Sequence, residues 1–187
     1  MSKVFVVSAP SGAGKTTIVH NVLSELPEIE FSVSATTRKK RSFEVDGKDY
    51  FFLSEVEFKE KIEANEFVEW ETFYGYYYGT LKSYINSRIE DGKSVLLEVD
   101  VKGALKIKEE YPDAVMIFIL PPSIDELERR LVNRKTESET DLKKRVERAK
   151  MEIEFQTYFE HKVVNNILED AREKVFNIIS NELTKEK

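Results

Sequence analysis

The sequence predicts an α/β domain in which helices cover both faces of a mostly parallel sheet of five strands. Short apolar runs rich in valine and isoleucine alternate with helical segments, and this alternation is typical of a doubly wound sheet. A glycine-rich loop lies between the first apolar run and the first helical segment. With 187 residues, of which 41% are hydrophobic, the chain has the size of one domain with a substantial core.

The predicted strands of this sheet are short apolar runs with polar residues only at their ends. A run that is apolar on both faces is typical of a parallel strand that helices cover on either side. The clearest runs are Val4–Val7, Ser94–Val99 and Ala114–Leu120, and Lys162–Val164 is a weaker fourth.

Helices are predicted between these runs from capping residues and helical spacing. Ser54–Glu57 and Ser123–Glu126 have the form of capping boxes. Gly92 is suited to the left-handed residue that ends many helices. The predicted helices are Thr16–Leu26, one that begins after Ser54, Ser83–Asp91, Ile124–Val132 and a long charged helix whose apolar positions are Leu142, Val146, Ala149 and Ile153.

Residues 31–80 interrupt the alternation of strands and helices. The segment contains FSVSATTRKKRSFEVDGKDYFF and FVEWETFYGYYYGT, which are rich in aromatic residues and in short strand-like runs. We therefore expect an insertion into the parallel core that forms a small mixed sheet.

Composition excludes several classes of function. A net charge of -6 argues against bulk binding of nucleic acid, which depends on a basic surface. The chain contains no cysteine, which excludes disulfides, thiolate metal sites and a cysteine nucleophile. Neither a signal peptide nor a membrane span is recognisable. We expect a cytoplasmic protein that binds neither nucleic acid nor membranes, and nothing in the sequence specifies its oligomeric state.

The glycine-rich loop SAPSGAGKTT, residues 8–17, matches the phosphate-binding pattern G-x-x-x-x-G-K-[ST] except that Ala9 replaces the first glycine. Gly12 and Gly14 lie in the turn, whereas Ala9 lies at the exit of the strand, where a methyl group is tolerable. Lys15 would bridge the β- and γ-phosphates, and Thr16 would bind Mg²⁺. The alternative is a turn that binds nothing. The predicted ATP-binding residues are Ala9, Pro10, Ser11, Gly12, Ala13, Gly14, Lys15, Thr16 and Thr17.

Two further features suggest a metal and a second ligand. The run LLEVD ends at Asp100, whose carboxylate would lie near Mg²⁺ directly or through water. The basic run Arg38–Arg41 is a solvated loop, a localisation signal or a site for a second phosphate. The tyrosines of the insertion either pack in a core or line a nucleotide pocket.

Taken in order, these motifs resemble the guanylate kinase family. The matching segments are SAPSGAGKTT, SVSATTRKKRSFEVDGKDYFF, FVEWETFYGYYYGT, LLEVDVKGA, FILPPS and NRKTESE, which span nearly the whole chain. The resemblance implies transfer of a phosphoryl group from ATP to GMP or dGMP with Mg²⁺. It also implies a P-loop kinase core at about 1–33, 84–123 and 156–187, a GMP-binding insertion at about 34–83 and a helical lid at about 124–155.

The resemblance also implies roles for individual residues. Ser34, Glu69 and Thr80 would face the guanine, with Glu98 and Asp100 nearby, and Arg38, Arg41, Tyr50 and Tyr78 would bind the GMP phosphate. Arg134 and Arg145 would close on the transferring group beside Lys15 and Arg38, and Arg148 is a lesser candidate. Lys135 departs from the family, in which a glycine commonly follows the lid arginine.

Chemistry supports the guanine assignment, because a carboxylate suits the N1–H and N2–H₂ donors of guanine and a hydroxyl suits O6. Without the resemblance, Glu69 is better explained as an exposed strand residue beside Trp70. Two alternatives remain. A kinase of ribose bisphosphate would not need Ser34, Glu69 and Thr80, and a binding module of this family would lack Lys15 and the lid arginines.

Overall fold

The computed structural model describes residues 2–133 and 139–185. In chain order the strands are β1 (Val4–Ser8), β2 (Ile29–Phe31), β3 (Ala35–Thr36), β4 (Phe51–Phe52), β5 (Phe67–Phe73), β6 (Tyr76–Leu81), β7 (Ser94–Glu98), β8 (Val115–Leu120) and β9 (His161–Val164). The helices are α1 (Lys15–Glu25), α2 (Glu55–Glu63), α3 (Lys82–Glu90), α4 (Val101–Glu110), α5 (Ile124–Asn133), α6 (Glu139–Glu154) and α7 (Leu168–Thr184), and a short 3₁₀ turn spans Phe155–Tyr158.

The larger sheet has five strands in the order β2-β7-β1-β8-β9, and every neighbouring pair is parallel. The predicted parallel sheet is therefore confirmed. The chain leaves β1 toward β2 on one side and later returns to β8 on the other, which makes the end of β1 a switch point of the topology. Ligands of open parallel sheets bind in the crevice at such a point, beyond the carboxyl ends of the strands.

Alternate side chains of each core strand enter different apolar clusters on the two faces of the sheet. Phe5 and Val7 of β1 pack with α1 and α7 on one face. Val4 and Val6 pack with residues of α3 and α4 on the other. Both faces are buried, which explains why the core strands read as unbroken apolar runs.

The fifth core strand, β2, is the one that apolar periodicity did not identify. It contains only three residues, and Glu30 and Phe31 are only partly buried. Strand β2 pairs with β7, and the Ser32 N–H extends this pairing by donating to the Leu96 carbonyl at 2.9 Å. Phe31 thereby packs against the core. An edge strand of this length lacks the run of buried residues on which β1, β7 and β8 were recognised.

The insertion forms the separate mixed sheet that the sequence predicts, in the order β4-β3-β6-β5. Strands β5 and β6 form a hairpin whose two-residue loop, Tyr74-Gly75, has positive φ at both positions, 50° and 79°. Such a turn matches the twist of the flanking strands. Helix α2 covers this sheet, with the Phe58 ring stacked on Phe67 at a centroid distance of 4.3 Å.

Helices α5 and α6 pack on each other through their own small apolar cluster of Leu127, Leu131, Val146 and Ala149. The sequence-predicted apolar positions Leu142 and Ile153 border this cluster. A methyl group built at Gly12 would lie 2.9 Å from Leu131, so α5 touches the glycine-rich loop directly. Among the described helices, none is long and apolar enough to cross a membrane.

Both bonds of the capping box predicted at Ser54–Glu57 are present. The Glu57 N–H donates to Ser54 Oγ at 3.2 Å, and the Ser54 N–H donates to Glu57 Oε2 at 2.7 Å. Because Ser54→Ala leaves the Glu57 N–H without its side-chain acceptor, the substitution should lower the free energy of unfolding by about 1 kcal/mol. Urea denaturation measures this effect. Ser123→Ala removes the equivalent hydrogen bond, from the Glu126 N–H, and is the comparison variant. If Ser123→Ala lowers the free energy of unfolding and Ser54→Ala does not, the prediction is wrong.

Candidate active site

The glycine-rich loop leaves the carboxyl end of β1 and runs into α1. Gly12 and Gly14 both have φ of 91°, a backbone conformation that other residues rarely adopt. Ala9, by contrast, has its methyl group in the apolar cluster beneath the loop. In the described ranges, the non-glycine residues with positive φ are Asn65 and Tyr74, so Ala9 does not have the backbone conformation that requires a glycine. The replacement of the first glycine by Ala9 therefore leaves the anion-facing turn unchanged.

Lys15, at the start of α1, extends across the end of the sheet. Its Nζ donates to the Val99 carbonyl at 2.8 Å and lies 3.9 Å from Glu98 Oε1. Burial lowers the pKa of the Lys15 ammonium, while the carboxylates of Glu98, Asp100, Glu152 and Glu71 act in the opposite direction. The ammonium is thus held inside an acidic cleft.

The hydroxyl and carboxylate ligands expected for Mg²⁺ lie in this cleft. Thr16 Oγ1 donates to Glu98 Oε1, so Glu98 is the carboxylate next to the hydroxyl. Asp100 is the N-cap of α4, and its Oδ1 accepts the Gly103 N–H at 2.8 Å. In the described part of the chain, no cluster of three or more His, Cys, Asp or Glu residues forms a metal cage. This donor set suits Mg²⁺, which binds one or two protein oxygens and completes its shell with phosphates and water.

A cavity of about 680 Å³ lies over the glycine-rich loop. The predicted residues that line it are Ala9, Pro10, Ser11, Gly12, Gly14, Lys15, Thr16, Thr17, Glu98, Asp100, Arg145 and Arg148. Four further lining residues, Glu71, Phe73, Tyr74 and Glu152, were not identified from sequence. The first three lie at the end of the β5–β6 hairpin and become lining residues only because the mixed sheet folds toward the loop.

Helix α6 contacts the glycine-rich loop at Ser11. Arg145 donates to Ser11 Oγ at 2.7 Å, and the Ser11 N–H donates to Glu152 Oε2 at 3.3 Å. Arg148 Nε donates to the other oxygen, Glu152 Oε1, at 2.8 Å. Two of the arginines considered from sequence are therefore brought to the loop, whereas Arg134 and Lys135 lie outside the described residues.

The inner side of the loop is supported by Asn165, which sequence reasoning missed. Its Nδ2 donates to the Ala13 carbonyl at 2.7 Å, and its backbone N–H donates to Leu120 at 2.7 Å. A methyl group at Gly14 would lie 2.5 Å from Asn165 Nδ2. Asn165 follows β9 directly, and an asparagine at the end of a core strand is the signal that would have identified it.

A second cavity, of about 290 Å³, adjoins the first. Its lining includes the predicted Ser34, Tyr50, Glu69 and Tyr78. Both cavities share Lys15, Glu71, Phe73, Glu98 and Asp100. The cleft thus has room for two ligands that meet beside the ammonium of Lys15.

Glu69 and Thr80 lie on paired strands of the hairpin. Thr80 Oγ1 donates to Glu69 Oε1 at 2.6 Å. Burial raises the pKa of the Glu69 carboxyl, which the Thr80 hydroxyl partly offsets. A methyl group at Gly103 would lie 3.2 Å from Glu69 Oε2 and 3.3 Å from Asp100 Oδ1, so the glycine allows α4 to bring the two carboxylates together.

Arg38 is held by Glu44, which sequence reasoning also missed. Its Nη2 and Nη1 donate to the Glu44 carboxylate at 2.7 and 3.1 Å, and its guanidinium lies 5.4 Å from the Tyr50 ring centroid. The Arg41 backbone N–H also donates to Glu44, while the Arg41 side chain is exposed. The hydrogen bond from Arg38 is the main cause that lowers the pKa of Glu44 to about 2. An acidic residue three positions after the basic run Arg38–Arg41 was the available signal.

A parallel sheet, a phosphate-binding loop at its switch point, and a second polar cavity beside the loop lysine define a P-loop phosphotransferase. A family model described as guanylate kinase matches residues 1–182. The chain belongs to the guanylate kinase family.

Individual relatives agree with this assignment. Guanylate kinase of Thermotoga maritima is 48% identical over 98% of this chain and 88% of its own length. That of Caldanaerobacter subterraneus is 46% identical over 94% of this chain and 85% of its own. The crystal structure of guanylate kinase from Anaplasma phagocytophilum has a TM-score of 0.75 at 31% identity, covering 98% of this chain and 87% of that one.

The Glu44 carboxylate should contribute stability that depends on pH. Its folded-state pKa of about 2 lies below the ordinary 4.5, so it stabilises the native fold above that ordinary value and the contribution is lost as the pH falls toward 2. The difference in free energy of unfolding between wild type and Glu44→Gln should therefore be constant above about pH 5 and shrink toward pH 3. Urea denaturation at several pH values measures it, with Glu60→Gln on exposed α2 as the control. If the difference in free energy of unfolding between wild type and Glu44→Gln did not change with pH, the charge of Glu44 would not be the source of the stability.

Proposed function

We propose that the cleft transfers the γ-phosphoryl group of ATP to GMP or dGMP, the reaction of the guanylate kinase family, with the larger cavity holding ATP and the smaller one GMP. The observation that carries this assignment is the shared lining of the two cavities by Lys15 and Asp100. We assign residues 1–33, 84–123 and 156–187 to the core, 34–83 to GMP binding and 124–155 to the lid.

The donor phosphates would be bound by the loop of residues 9–17. Its backbone N–H groups and the amino end of α1 favour an anion, and Lys15 adds a cation between the β- and γ-phosphates. Thr16 with Asp100, and Glu98 beside them, would hold Mg²⁺, which neutralises charge on the phosphate oxygens when bound. The family is generally dependent on ATP and on this ion.

The acceptor would be bound by the mixed sheet. Glu69 would accept hydrogen bonds from N1–H and N2–H₂ of guanine. Ser34 lines the same cavity as Glu69, whereas Thr80 is buried and donates its hydroxyl to Glu69 Oε1. The GMP phosphate would be bound by Arg38, Arg41, Tyr50 and Tyr78. On binding GMP, Arg38 would give up part of its hydrogen bonding to Glu44 and donate to the phosphate instead.

The mechanism needs no general base, because the attacking oxygen of the GMP phosphate is already anionic. The barrier falls through alignment of the two ligands and through cations placed where charge develops. Lys15, Arg38, Arg134 and Arg145 would supply these cations. Closure of the lid would exclude water and so prevent hydrolysis of ATP.

We also expect the enzyme to act in the cytoplasm and without nucleic acid as a partner. A chain with no cysteine and a net charge of -6 is suited to a reducing compartment and has no overall attraction for a polyanion.

A coupled assay of ADP release, run with GMP, dGMP, AMP, CMP, UMP and ribose bisphosphate, tests the proposal. We expect turnover with GMP and dGMP far above that with the other four. Preference for ribose bisphosphate would assign the chain to a different kinase, and ligand binding without ADP release would indicate a binding module.

Lys15→Met should retain the fold and lose phosphoryl transfer, because the transition state loses a cation held in a partly desolvated cleft. We expect kcat to fall by about a hundredfold or more. Steady-state assays measure the loss, and circular dichroism checks the fold. Lys59→Met, on the exposed surface of α2, is the matched control. Near-normal turnover of Lys15→Met would refute the role of the loop lysine.

Glu69→Gln should reduce selectivity for GMP over AMP. The substitution replaces one acceptor by a donor that faces the donors of guanine, and a charge-assisted hydrogen bond contributes about 1.5–3 kcal/mol. The value of kcat/KM for GMP should fall about ten- to a hundredfold, while that for AMP changes little. The ratio is measured under identical Mg²⁺ and ATP. Equal losses for both substrates would make Glu69 a structural residue.

A further inference from the structure

Helix α6 has a polar face in addition to the apolar face that packs on α5. Arg145, Arg148 and Glu152 are spaced i, i+3 and i+7, which places them on one stripe, about 100° around the helix from Val146 and Ala149. All three polar residues line the larger cavity. This stripe is therefore the surface that α6 turns toward the phosphate-binding loop.

Arg148 makes two contacts of unequal strength on this stripe. Its Nε donates to Glu152 Oε1 at 2.8 Å, and Glu152 is buried, with 8% of its surface exposed. Its Nη2 lies 3.6 Å from Asp100 Oδ2, beyond hydrogen-bond distance. A short contact with a buried carboxylate restrains a side chain, whereas a long ion pair at an exposed group contributes little. The Asp100 contact is the one that can give way to a ligand.

Glu152 fixes the direction of Arg148 relative to the loop. Its second oxygen, Oε2, accepts the Ser11 N–H at 3.3 Å. One carboxylate therefore joins the guanidinium of α6 to the backbone that would surround the donor phosphates. Arg148 itself keeps 49% of its side chain exposed, facing the cavity, so its remaining N–H donors are accessible.

The charge of the cavity lining favours a further cation beside bound phosphates. Its described acidic lining residues are Glu71, Glu98, Asp100 and Glu152, and its described basic ones are Lys15, Arg145 and Arg148. Two multiply charged nucleotides must bind in this cleft. Without Arg148, the carboxylates of the lining would outnumber the cations two to one.

We propose that Arg148 is a further catalytic residue, whose guanidinium leaves Asp100 and contacts the transferring phosphoryl group, and that Glu152 is the positioning residue that holds it there. This inference rests on the proposed function. In that reaction the bond from the γ-phosphorus to the bridging oxygen of ADP breaks as the bond to the GMP phosphate oxygen forms. Arg148 exchanges no proton and acts only as a cation with N–H donors.

The first test compares three variants in the GMP-dependent assay. Arg148→Gln should lower kcat about ten- to a hundredfold, with GMP binding by calorimetry unchanged. Arg148→Lys should recover part of the loss, because it keeps the charge. Arg129→Gln, an exposed arginine of α5 that pairs with Glu126, should behave as wild type.

The second test is a double-mutant cycle with Glu152→Gln. If Glu152 acts through Arg148, the double variant should lose no more kcat than Arg148→Gln alone, whereas independent effects would multiply. Thermal unfolding of all variants separates catalysis from stability. Equal losses in Arg148→Gln and Arg148→Lys, accompanied by a lower melting temperature, would make Arg148 structural and overturn the inference.

If the wild-type chain phosphorylates GMP and Arg148→Gln retains full activity, this inference is overturned and the proposed function stands. Failure of the wild-type chain to phosphorylate GMP would overturn both. The wild-type measurement therefore distinguishes the two failures.

Discussion

The partly buried ammonium of Lys15 is the constraint on which the architecture of the cleft depends. A cation in a desolvated position is costly unless opposite charges surround it. The compensating carboxylates come from four elements: Glu98 from the end of β7, Asp100 from the start of α4, Glu71 from β5 and Glu152 from α6. The core, the mixed sheet and the α5–α6 pair must therefore all fold toward one nitrogen atom.

A similar pairing of a cation with a carboxylate occurs at two arginines. Arg38 is paired with Glu44, Arg148 with Glu152, and Lys15 lies beside Glu98. Each carboxylate keeps its cation oriented while no phosphate is bound. Binding of a nucleotide then exchanges one anion for another, which requires much less reorganisation than ordering a free side chain. Opposite charges at close range thus prepare the cleft for ligands of high negative charge.

The sequence predicts those parts of the molecule that depend on local pattern. Apolar runs identify β1, β7 and β8, and a weaker run indicates β9. The loop of residues 8–17 is a contiguous signal of the same kind and predicts a phosphate site. Residues that act across the fold escape this reasoning. Glu152 and Asn165 touch the loop only because α6 and β9 fold against it, and Glu44 is recognisable only once Arg38 is seen to turn back toward it. Strand β2 was missed for a different reason, since a three-residue edge strand with a single buried residue has too weak a pattern.

The hydrogen bond from Asn165 to Ala13 joins residues that are 152 positions apart in the chain. During synthesis the loop and α1 leave the ribosome long before β9 exists, so the backbone that surrounds the phosphates lacks its inner support until almost the whole chain is available. The phosphate site is thus among the last parts of the molecule to reach its final shape.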